Sequence, residues 1–281
     1  GLRRSAGKSW WRCATPMNIT RDFISTRCGR IHVACCGSGF PILLLHQTPR
    51  SWNEFRAVLP LLGQRYRAIA MDTVGFGDSE PIPENSIERW AAAAIALLDA
   101  MAIPRAVLVG HHTGAVIALE MAASQPQRVA ALALSSMSLV DAERRAEHAG
   151  KRPIDEVEPR ADGSHLNELW QRRQPYYPPG DVVLLDSFMI DALKAGALAA
   201  EGHRVVNRYR MEERLPLIAC PTLVIGADAD PHAYPSAARV AAAIPCSVMT
   251  VIRGGGVPLP EQMPQSFTEA LMTFLTDIHL G

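Results

Sequence analysis

The residues best suited to chemistry lie in the stretch VGHHTGAV, residues 109–116. An apolar run, AVLV, ends at Gly110, two histidines follow, and Gly114 opens an alanine-rich helical pattern. This order is typical of a nucleophile elbow, G-x-S-x-G, in which a sharp strand-to-helix turn presents the side chain of the middle residue. The middle residue here is His112, so the pattern predicts an imidazole where a serine nucleophile is usual.

An imidazole at this position has chemistry of its own. Its ordinary pKa is about 6.5, so it acts as a base and as a nucleophile near neutral pH without a second histidine. It can activate a water molecule with the help of a carboxylate, or attack a carbonyl directly to form an acyl-imidazole. We favour activation of water because it demands less of the geometry. A proton-carrying histidine would equally serve a lyase, an isomerase or a cyclase.

The charge balance argues against a polyanionic partner. The 281 residues include 28 Lys and Arg and 28 Asp and Glu, so there is no net charge to attract nucleic acid or an anionic membrane. No apolar run is long enough to cross a bilayer. We therefore expect a small organic molecule as the binding partner, with no nucleic acid and no membrane, and leave a homodimer open.

The cysteines and the first residues bear on the cellular setting. The six cysteines are scattered in apolar contexts without the spacing of a zinc site, and we expect reduced thiols in a cytoplasmic protein. Residues 1–20 are basic and lack the apolar core of a secretory signal. We expect this segment to be a disordered tail or a remnant of expression, with a natural start at Met17, rather than a transit peptide.

Short β-rich runs alternate with helical patterns, which favours a mostly parallel sheet covered by helices on both faces. The run AVLVG is one predicted strand, and a helix is predicted to follow it over residues 112–124. Helices are also predicted over residues 51–62 and 86–101, the second with a capping box from Asn85 to Glu88. Later in the chain, helices are predicted around residues 236–243 and 264–279.

One segment interrupts the alternation. Residues 140–217 are polar and arginine-rich, with helical patterns around residues 166–174 and 181–195. A segment of this length is rarely a bare loop. Ligands of open α/β sheets bind outside the carboxyl ends of the strands, so we expect residues 140–217 to form a helical cap there. The core would then consist of residues 21–139 and 218–281.

Four stretches accompany the elbow in a recognisable order: PILLLHQTPRSWNEF, MDTVGFGDSEP, TLVIGADADP and GGGVPLPEQMPQSF. Together they resemble the α/β-hydrolase superfamily, in the branch of lidded esterases, epoxide hydrolases and dehalogenases. The resemblance runs from about residue 30 to the end, apart from the predicted cap. It implies an α/β-hydrolase fold with a mostly parallel eight-stranded sheet flanked by helices, an inserted helical cap, and an enzyme without a cofactor.

The chain departs from this family at the positions that matter most. His112 replaces the nucleophile, and Gln47 replaces the glycine that follows the strand-ending His46. Counting back from Glu261 to the place of the triad histidine leads to Gly256. A triad needs a hydroxyl and an imidazole that activates it, so the standard mechanism cannot operate here.

The resemblance still implies an acid and an oxyanion hole. The acid is Asp228 or Asp230, of which Asp230 is nearer the usual position, and we predict His112 and Asp230 as the catalytic pair. The backbone amides of Gln47 and Thr113 are the expected oxyanion donors. No metal is expected, because no H-x-x-x-H or H-x-H spacing places two histidines on one face.

Aromatic residues and histidines are the candidates for the pocket wall, with packing as the alternative for each. The predicted substrate contacts are His46, Trp52, Trp170, Tyr176 and Phe188. Basic residues of the predicted cap either meet a substrate carboxylate or form a solvated helix face; they are His203, Arg204, Arg208 and Arg210.

Other polar residues have simpler interpretations. His111 is expected to pack beside the elbow, and His232 to lie at the surface rather than act as a displaced triad histidine. Asp72 and Ser79 are expected to form a turn.

Three functions remain open. The preferred one is an enzyme acting on a small or medium organic carbonyl compound, such as an ester, lactone or amide, with His112 in place of the serine. The second is a non-hydrolytic enzyme, a lyase, isomerase or cyclase, with His112 as acid and base. The third is a catalytically inactive protein that binds a ligand.

Overall fold

The computed structural model describes residues 18–280. An eight-stranded sheet with the order β1-β2-β4-β3-β5-β6-β7-β8 runs through its centre. Strand β2 pairs antiparallel with β1 and with β4, and every other neighbouring pair is parallel. The strands are Thr20–Thr26, Gly29–Cys36, Pro41–Leu45, Arg67–Met71, Ala106–His111, Val129–Ser135, Thr222–Ala227 and Ser247–Ile252, numbered β1 to β8.

Ten α-helices accompany the sheet in the described part of the chain. They are Leu59–Leu62, Ile87–Ala100, Thr113–Ser124, Ala142–His148, Ser164–Arg173, Val182–Ala195, Leu198–Arg208, Tyr234–Ala242, Leu259–Gln262 and Pro264–Asp277, numbered α1 to α10. Buried apolar clusters lie on both faces of the sheet. The predicted fold class, a mostly parallel sheet flanked by helices, is confirmed. None of the helices in residues 18–280 is both long and apolar enough to cross a membrane.

Local structure differs from the predictions at three places. The helix predicted over residues 51–62 is divided into a 3-10 helix, Trp52–Phe55, and α1, because Pro60 lacks the amide that a continuous helix would need. Helix α2 is capped by Ser86, whose hydroxyl accepts from Arg89 N, and not by Asn85. Strand β1 begins at Thr20, the last residue of the predicted tail; residues 1–17 of that tail lie outside the described residues.

A helical insertion separates β6 from β7 and carries α4 to α7. Helices α5 and α6 correspond to the two helical patterns seen in the sequence, whereas α4 and α7 were not predicted. The insertion has a small apolar cluster of its own, built around Leu169, Tyr177 and Phe188.

A buried arginine joins the helical insertion to the core. Arg50 follows β3, is fully buried, and donates to Asp191 Oδ2 of α6 at 2.9 Å and to both carboxylate oxygens of Glu261, at 2.5 and 2.9 Å. The buried guanidinium is thus paired with two carboxylates, as a buried charge requires a partner. The insertion is therefore anchored to the loop that follows β3.

A second buried ion pair holds the insertion together internally. Asp155 accepts from Arg173 Nε at 2.6 Å and from His203 Nε2 at 2.7 Å. Burial alone would raise the pKa of Asp155, but Arg173 and His203 outweigh it and lower the pKa to about 2. Because the folded-state pKa is lowered, this pair stabilises the fold above the ordinary pKa of the carboxyl and loses that contribution as the pH falls toward 2.

We expect Asp155→Asn to cost about 3–5 kcal/mol of unfolding free energy at pH 7, because Arg173 then stays buried without its partner. The difference in unfolding free energy between wild type and Asp155→Asn should narrow by about 1 kcal/mol by pH 3, because the carboxyl of the unfolded wild type protonates before that of the folded protein. Urea unfolding from pH 7 to pH 3 measures both values. The exposed Asp186 of α6 provides the control, since Asp186→Asn should change stability little at any pH. A constant gap between wild type and Asp155→Asn would contradict this account.

Candidate active site

The elbow has the strained geometry that the sequence predicts. His112 lies between β5 and α3 with φ 47° and ψ −113°, which few residues with a side chain adopt. The flanking glycines allow the tight turn: a Cβ on Gly110 would lie 2.2 Å from the carbonyl oxygen of Gly114, and a Cβ on Gly114 would lie 1.9 Å from that of Leu45. The turn therefore holds the imidazole at the carboxyl edge of the sheet.

His112 contacts Asp230, which follows β7. Nε2 of His112 lies 3.0 Å from Oδ2 of Asp230, within the distance of an ion pair but without the geometry of a hydrogen bond. Neither atom has another hydrogen-bond partner among residues 18–280. Nε2 is buried while 16% of the His112 side chain is exposed, so the exposed part belongs to the rest of the ring, Nδ1 included.

Asp230 is held as a carboxylate. Its Oδ1 accepts from the backbone amides of His232 at 2.9 Å and Ala233 at 3.2 Å. Burial would raise the pKa of Asp230, but His112 and these two amides outweigh it and keep the pKa well below its ordinary value. Asp228, the other acid considered, is exposed and accepts from Gly254 N at 2.6 Å. Of the two acids, only Asp230 lies against His112.

His111 links the elbow to the loop after β8. Its Nε2 donates to Val257 O at 2.8 Å and its Nδ1 accepts from Ser135 Oγ at 3.0 Å, because a carbonyl oxygen can only accept. Burial lowers the pKa of His111 well below its ordinary value, so the ring stays neutral. The packing role expected for this residue agrees with these contacts.

The loop after β8 presents Val257 to the pocket. Val257 lines the cavity beside His112, whereas Gly256 does not. Gly256 N instead donates to Gln262 Oε1 at 2.7 Å, inside a turn that the Gln262 side chain braces. The count along the sequence placed the missing histidine at Gly256, whereas the residue of this loop that lines the cavity is the next one, Val257.

The expected oxyanion donor at Gln47 is already engaged. Its backbone amide donates to Glu54 Oε2 at 2.9 Å and its side-chain amide to Glu54 Oε1 at 2.6 Å. Glu54 is fully buried, and burial raises its pKa to about 8. The backbone amides of Thr48 and Thr113, by contrast, make no hydrogen bond within residues 18–280. In the structure the Glu54 side chain therefore occupies the Gln47 amide that was predicted as an oxyanion donor.

The two threonines lie together at the pocket wall. Their hydroxyl groups, Thr48 Oγ1 and Thr113 Oγ1, are 2.9 Å apart and hydrogen-bonded. Both residues line the cavity next to His112. Two residues with free backbone amides therefore line the same cavity as His112.

A cavity of about 1040 Å³ lies between the elbow and the helical insertion. This volume is at the upper end of the range for small-molecule sites. Residues lining it from the core include Gln47, Thr48, His112, Thr113, Val116 and Val257.

Of the five predicted substrate contacts, only Tyr176 lines this cavity. Its ring packs on His232, with ring centroids 4.5 Å apart. His232 is exposed, as expected, and also lines the cavity. The pair forms part of the wall near Asp230.

Two of the other four, His46 and Trp52, are structural. His46 is fully buried, donates from Nδ1 to Gln47 O at 2.7 Å and accepts from Thr73 N at Nε2. Trp52 lies outside the cavity, where its ring packs under the guanidinium groups of Arg21 and Arg56.

The remaining two, Trp170 and Phe188, belong to the apolar cluster of the helical insertion. Phe188 is almost fully buried under the Arg173 guanidinium, whose carbon lies 4.7 Å from the ring centroid. Both aromatics stabilise the insertion and do not reach the cavity.

Asp72 and Ser79 organise a turn, as expected. Ser79 Oγ donates to Asp72 O at 2.7 Å, and Asp72 accepts from Trp52 N and Asp78 N. His32, Asp72 and Asp78 form the one group in residues 18–280 whose ligand atoms are close enough for a metal ion. Hydrogen bonds between these residues, and the ion pair of Asp78 with Lys194, account for the cluster without one.

The basic residues predicted to meet a carboxylate already have partners. Arg204 pairs with Glu156 at 2.6 Å, Arg208 with Glu201 at 2.5 Å and Arg210 with Glu213 at 2.7 Å. His203 contacts Asp155 at 2.7 Å. Sequence reasoning did not single out Arg144, which lines the cavity and has no such partner among the described residues. The only sequence signal was that residues 140–217 are rich in arginine.

A strained elbow at the carboxyl edge of a parallel sheet, with a carboxylate from a later strand behind it, defines a class of α/β enzymes. The model of a family described as the alpha/beta hydrolase family matches residues 36–270. The chain belongs to this family.

Individual relatives share parts of the chain. Bifunctional epoxide hydrolase 2 of Mus musculus is 34% identical over 42% of this chain and 22% of its own. 2-Hydroxymuconate semialdehyde hydrolase of Pseudomonas sp. strain CF600 is 39% identical over 35% of this chain and 36% of its own. This chain thus matches about a fifth to a third of these relatives' length.

Solved structures are similar over nearly the whole chain. A thermophilic esterase of Thermogutta terrifontis superposes with a TM-score of 0.77 and 25% identity, covering 92% of this chain and 99% of the esterase. This likeness supports the fold beyond the segment shared with the epoxide hydrolase.

Proposed function

We propose that the protein is a cofactor-free hydrolase of small or medium organic carbonyl compounds such as esters and lactones, with His112 as general base. The observation that carries the proposal is the contact of His112 with Asp230 at the tip of the elbow, open to a cavity. Asp230 keeps a proton on Nε2, which leaves the lone pair of Nδ1 on the exposed part of the ring.

The steps follow from the placement of these groups. Nδ1 removes a proton from a water molecule as the water attacks the substrate carbonyl, and the imidazolium that forms is stabilised by Asp230. The free amides of Thr48 and Thr113 stabilise the negative charge on the carbonyl oxygen, in place of the engaged amide of Gln47. The same imidazolium then returns its proton to the leaving group.

The helical insertion serves as a cap in this proposal. Its residues supply the other wall of the cavity, among them Tyr176, His203 and Asn207. Arg50 fixes α6 to the loop that carries Thr48, so cap and oxyanion donors are tied to one another.

Hydrolysis of a panel of activated aryl esters and lactones from pH 5 to pH 9 tests the proposal. The His112→Ala protein, purified in the same way, serves as the control for contaminating esterases. We expect activity that depends on His112 and rises with pH, because a general base acts in its unprotonated form. Equal rates for both proteins across the panel would refute hydrolysis and direct the search to lyase, isomerase or pure binding functions.

A further inference from the structure

The cavity wall is strongly basic. Seven arginine and lysine side chains line it, against a single carboxylate, that of Glu156. Six of the seven have a carboxylate within 4 Å: Arg145, Lys151, Arg152, Arg173, Arg204 and Arg208. Arg144 is the exception, since its side chain makes no salt bridge and no hydrogen bond within residues 18–280.

Arg144 is held firmly by its backbone while its side chain lacks a partner in the described chain. Its amide donates to Asp141 Oδ1 at 2.9 Å, and its carbonyl accepts from His148 Nδ1 at 2.9 Å, so the start of α4 is fixed. Nε of the guanidinium is buried without any hydrogen bond. Burial lowers the pKa of Arg144, and the nearby Glu147 and Asp141 only partly oppose this effect. The residue is partly buried, and its buried Nε is costly to leave without a hydrogen-bond partner, which a bound group would supply.

A second unpartnered group lies on the neighbouring helix. Oδ1 of Asn207, in α7, is buried without a hydrogen bond to the described residues, and Asn207 lines the same cavity. Helices α4 and α7 pack against each other. An amide side chain carries both a donor and an acceptor, so Asn207 can offer either to a ligand.

We propose that the cavity binds substrates that carry a carboxylate, which the guanidinium of Arg144 holds while Asn207 makes a polar contact with the same part of the ligand. This inference rests on the proposed function for the reacting carbonyl at His112, but the binding of the anion does not depend on catalysis. Arginine suits this role because its planar fork matches the two oxygens of a carboxylate. The sequence pointed to Arg204, Arg208 and Arg210 for contact with a substrate carboxylate. We assign this contact to Arg144 instead, because it is the one cavity arginine that has no partner within residues 18–280.

Binding of 4-phenylbutyrate and of its uncharged primary amide, measured by calorimetry, tests the proposal without turnover. The wild type should bind the acid more tightly than the amide. Arg144→Gln should weaken binding of the acid by about 10- to 100-fold, the range for a hydrogen bond to a charged group, and leave binding of the amide nearly unchanged. Arg144→Lys, which keeps the charge but loses the fork, should lie between them.

Arg208→Gln is the matched control. It removes one positive charge from the same cavity, but Arg208 is ion-paired with Glu201 and largely exposed. Binding of the acid should change by less than about 2-fold, since an exposed ion pair contributes little. An equal loss in Arg144→Gln and Arg208→Gln, or equal binding of acid and amide by the wild type, would overturn the proposal. Thermal unfolding of each variant shows whether it folds, and Arg144→Lys keeps the test decisive if Arg144→Gln does not.

Kinetics separate this inference from the proposed function. Mono-4-nitrophenyl glutarate and its methyl ester differ only in the charged end. Arg144→Gln should raise KM for the first about 10- to 100-fold without a similar effect on the second. If neither ester is hydrolysed but the acid still binds in an Arg144-dependent way, the hydrolase proposal fails and the carboxylate site stands. Hydrolysis of both esters with the same KM in wild type and Arg144→Gln refutes the carboxylate site alone.

Discussion

His112→Ala is expected to reduce kcat/KM for a hydrolysed ester by about 10²- to 10⁴-fold, the usual contribution of a general base. The reason is that the imidazole ring in contact with Asp230 would be gone, while the second ring beside it, that of His111, is neutral and engaged by Val257 and Ser135. Steady-state kinetics of the wild type and His112→Ala at pH 8 measures the loss.

The fold and the cavity should survive this change. Removing the imidazole leaves the buried Asp230 carboxylate with only the backbone amides of His232 and Ala233, so thermal unfolding should shift to lower temperature without loss of the fold. Asp230→Asn should lower kcat as well, because the amide no longer stabilises the imidazolium. Full activity in His112→Ala together with binding of substrate would show that another group performs the reaction.

The second large effect is a gain of esterase activity in a double variant. His112→Ser alone should hydrolyse no ester above background, because no imidazole in the loop after β8 would activate the hydroxyl. Adding Val257→His places an imidazole on the residue of that loop that faces the cavity, next to the elbow. We expect the His112→Ser, Val257→His protein to hydrolyse activated aryl esters at least about 100-fold faster than His112→Ser, since a general base contributes at least that much.

A matched variant locates the base. Gly256→His combined with His112→Ser adds the same side chain one residue earlier, where the backbone turns inside a brace formed by Gln262 and does not line the cavity. It should remain inactive. Trapping with a serine-directed phosphonate, followed by mass spectrometry, should locate the label on the serine introduced at the elbow of the active protein. High esterase activity in His112→Ser alone would contradict our account of the missing histidine.

Much of the molecule was predictable because it depends on local patterns. Apolar runs and helical periodicity indicated the parallel sheet, and the glycines around His112 predicted a tight turn with an imidazole at its tip. Both positions require glycine, because a Cβ at either one would lie about 2 Å from a backbone oxygen. The acidic partner of the imidazole was narrowed to two aspartates by their position after a strand.

The choice between those aspartates depended on burial. Asp228 and Asp230 are two residues apart, yet one is exposed and the other is fully buried against His112. A sequence pattern does not distinguish them, because the direction of each side chain depends on how the loop after β7 meets the elbow. The sequence likewise does not distinguish Val257, which lines the cavity, from Gly256, which does not.

The sequence by itself therefore determined the fold, the elbow and the identity of its tip residue, since these follow from neighbouring residues along the chain. Tertiary structure alone decided which polar groups stay free. Glu54 engages the amide of Gln47, carboxylates engage six of the seven cavity cations, and Arg144 is left without a partner among residues 18–280. Pairing of this kind joins residues far apart in the chain, and only their packing determines which charges are compensated before a ligand binds.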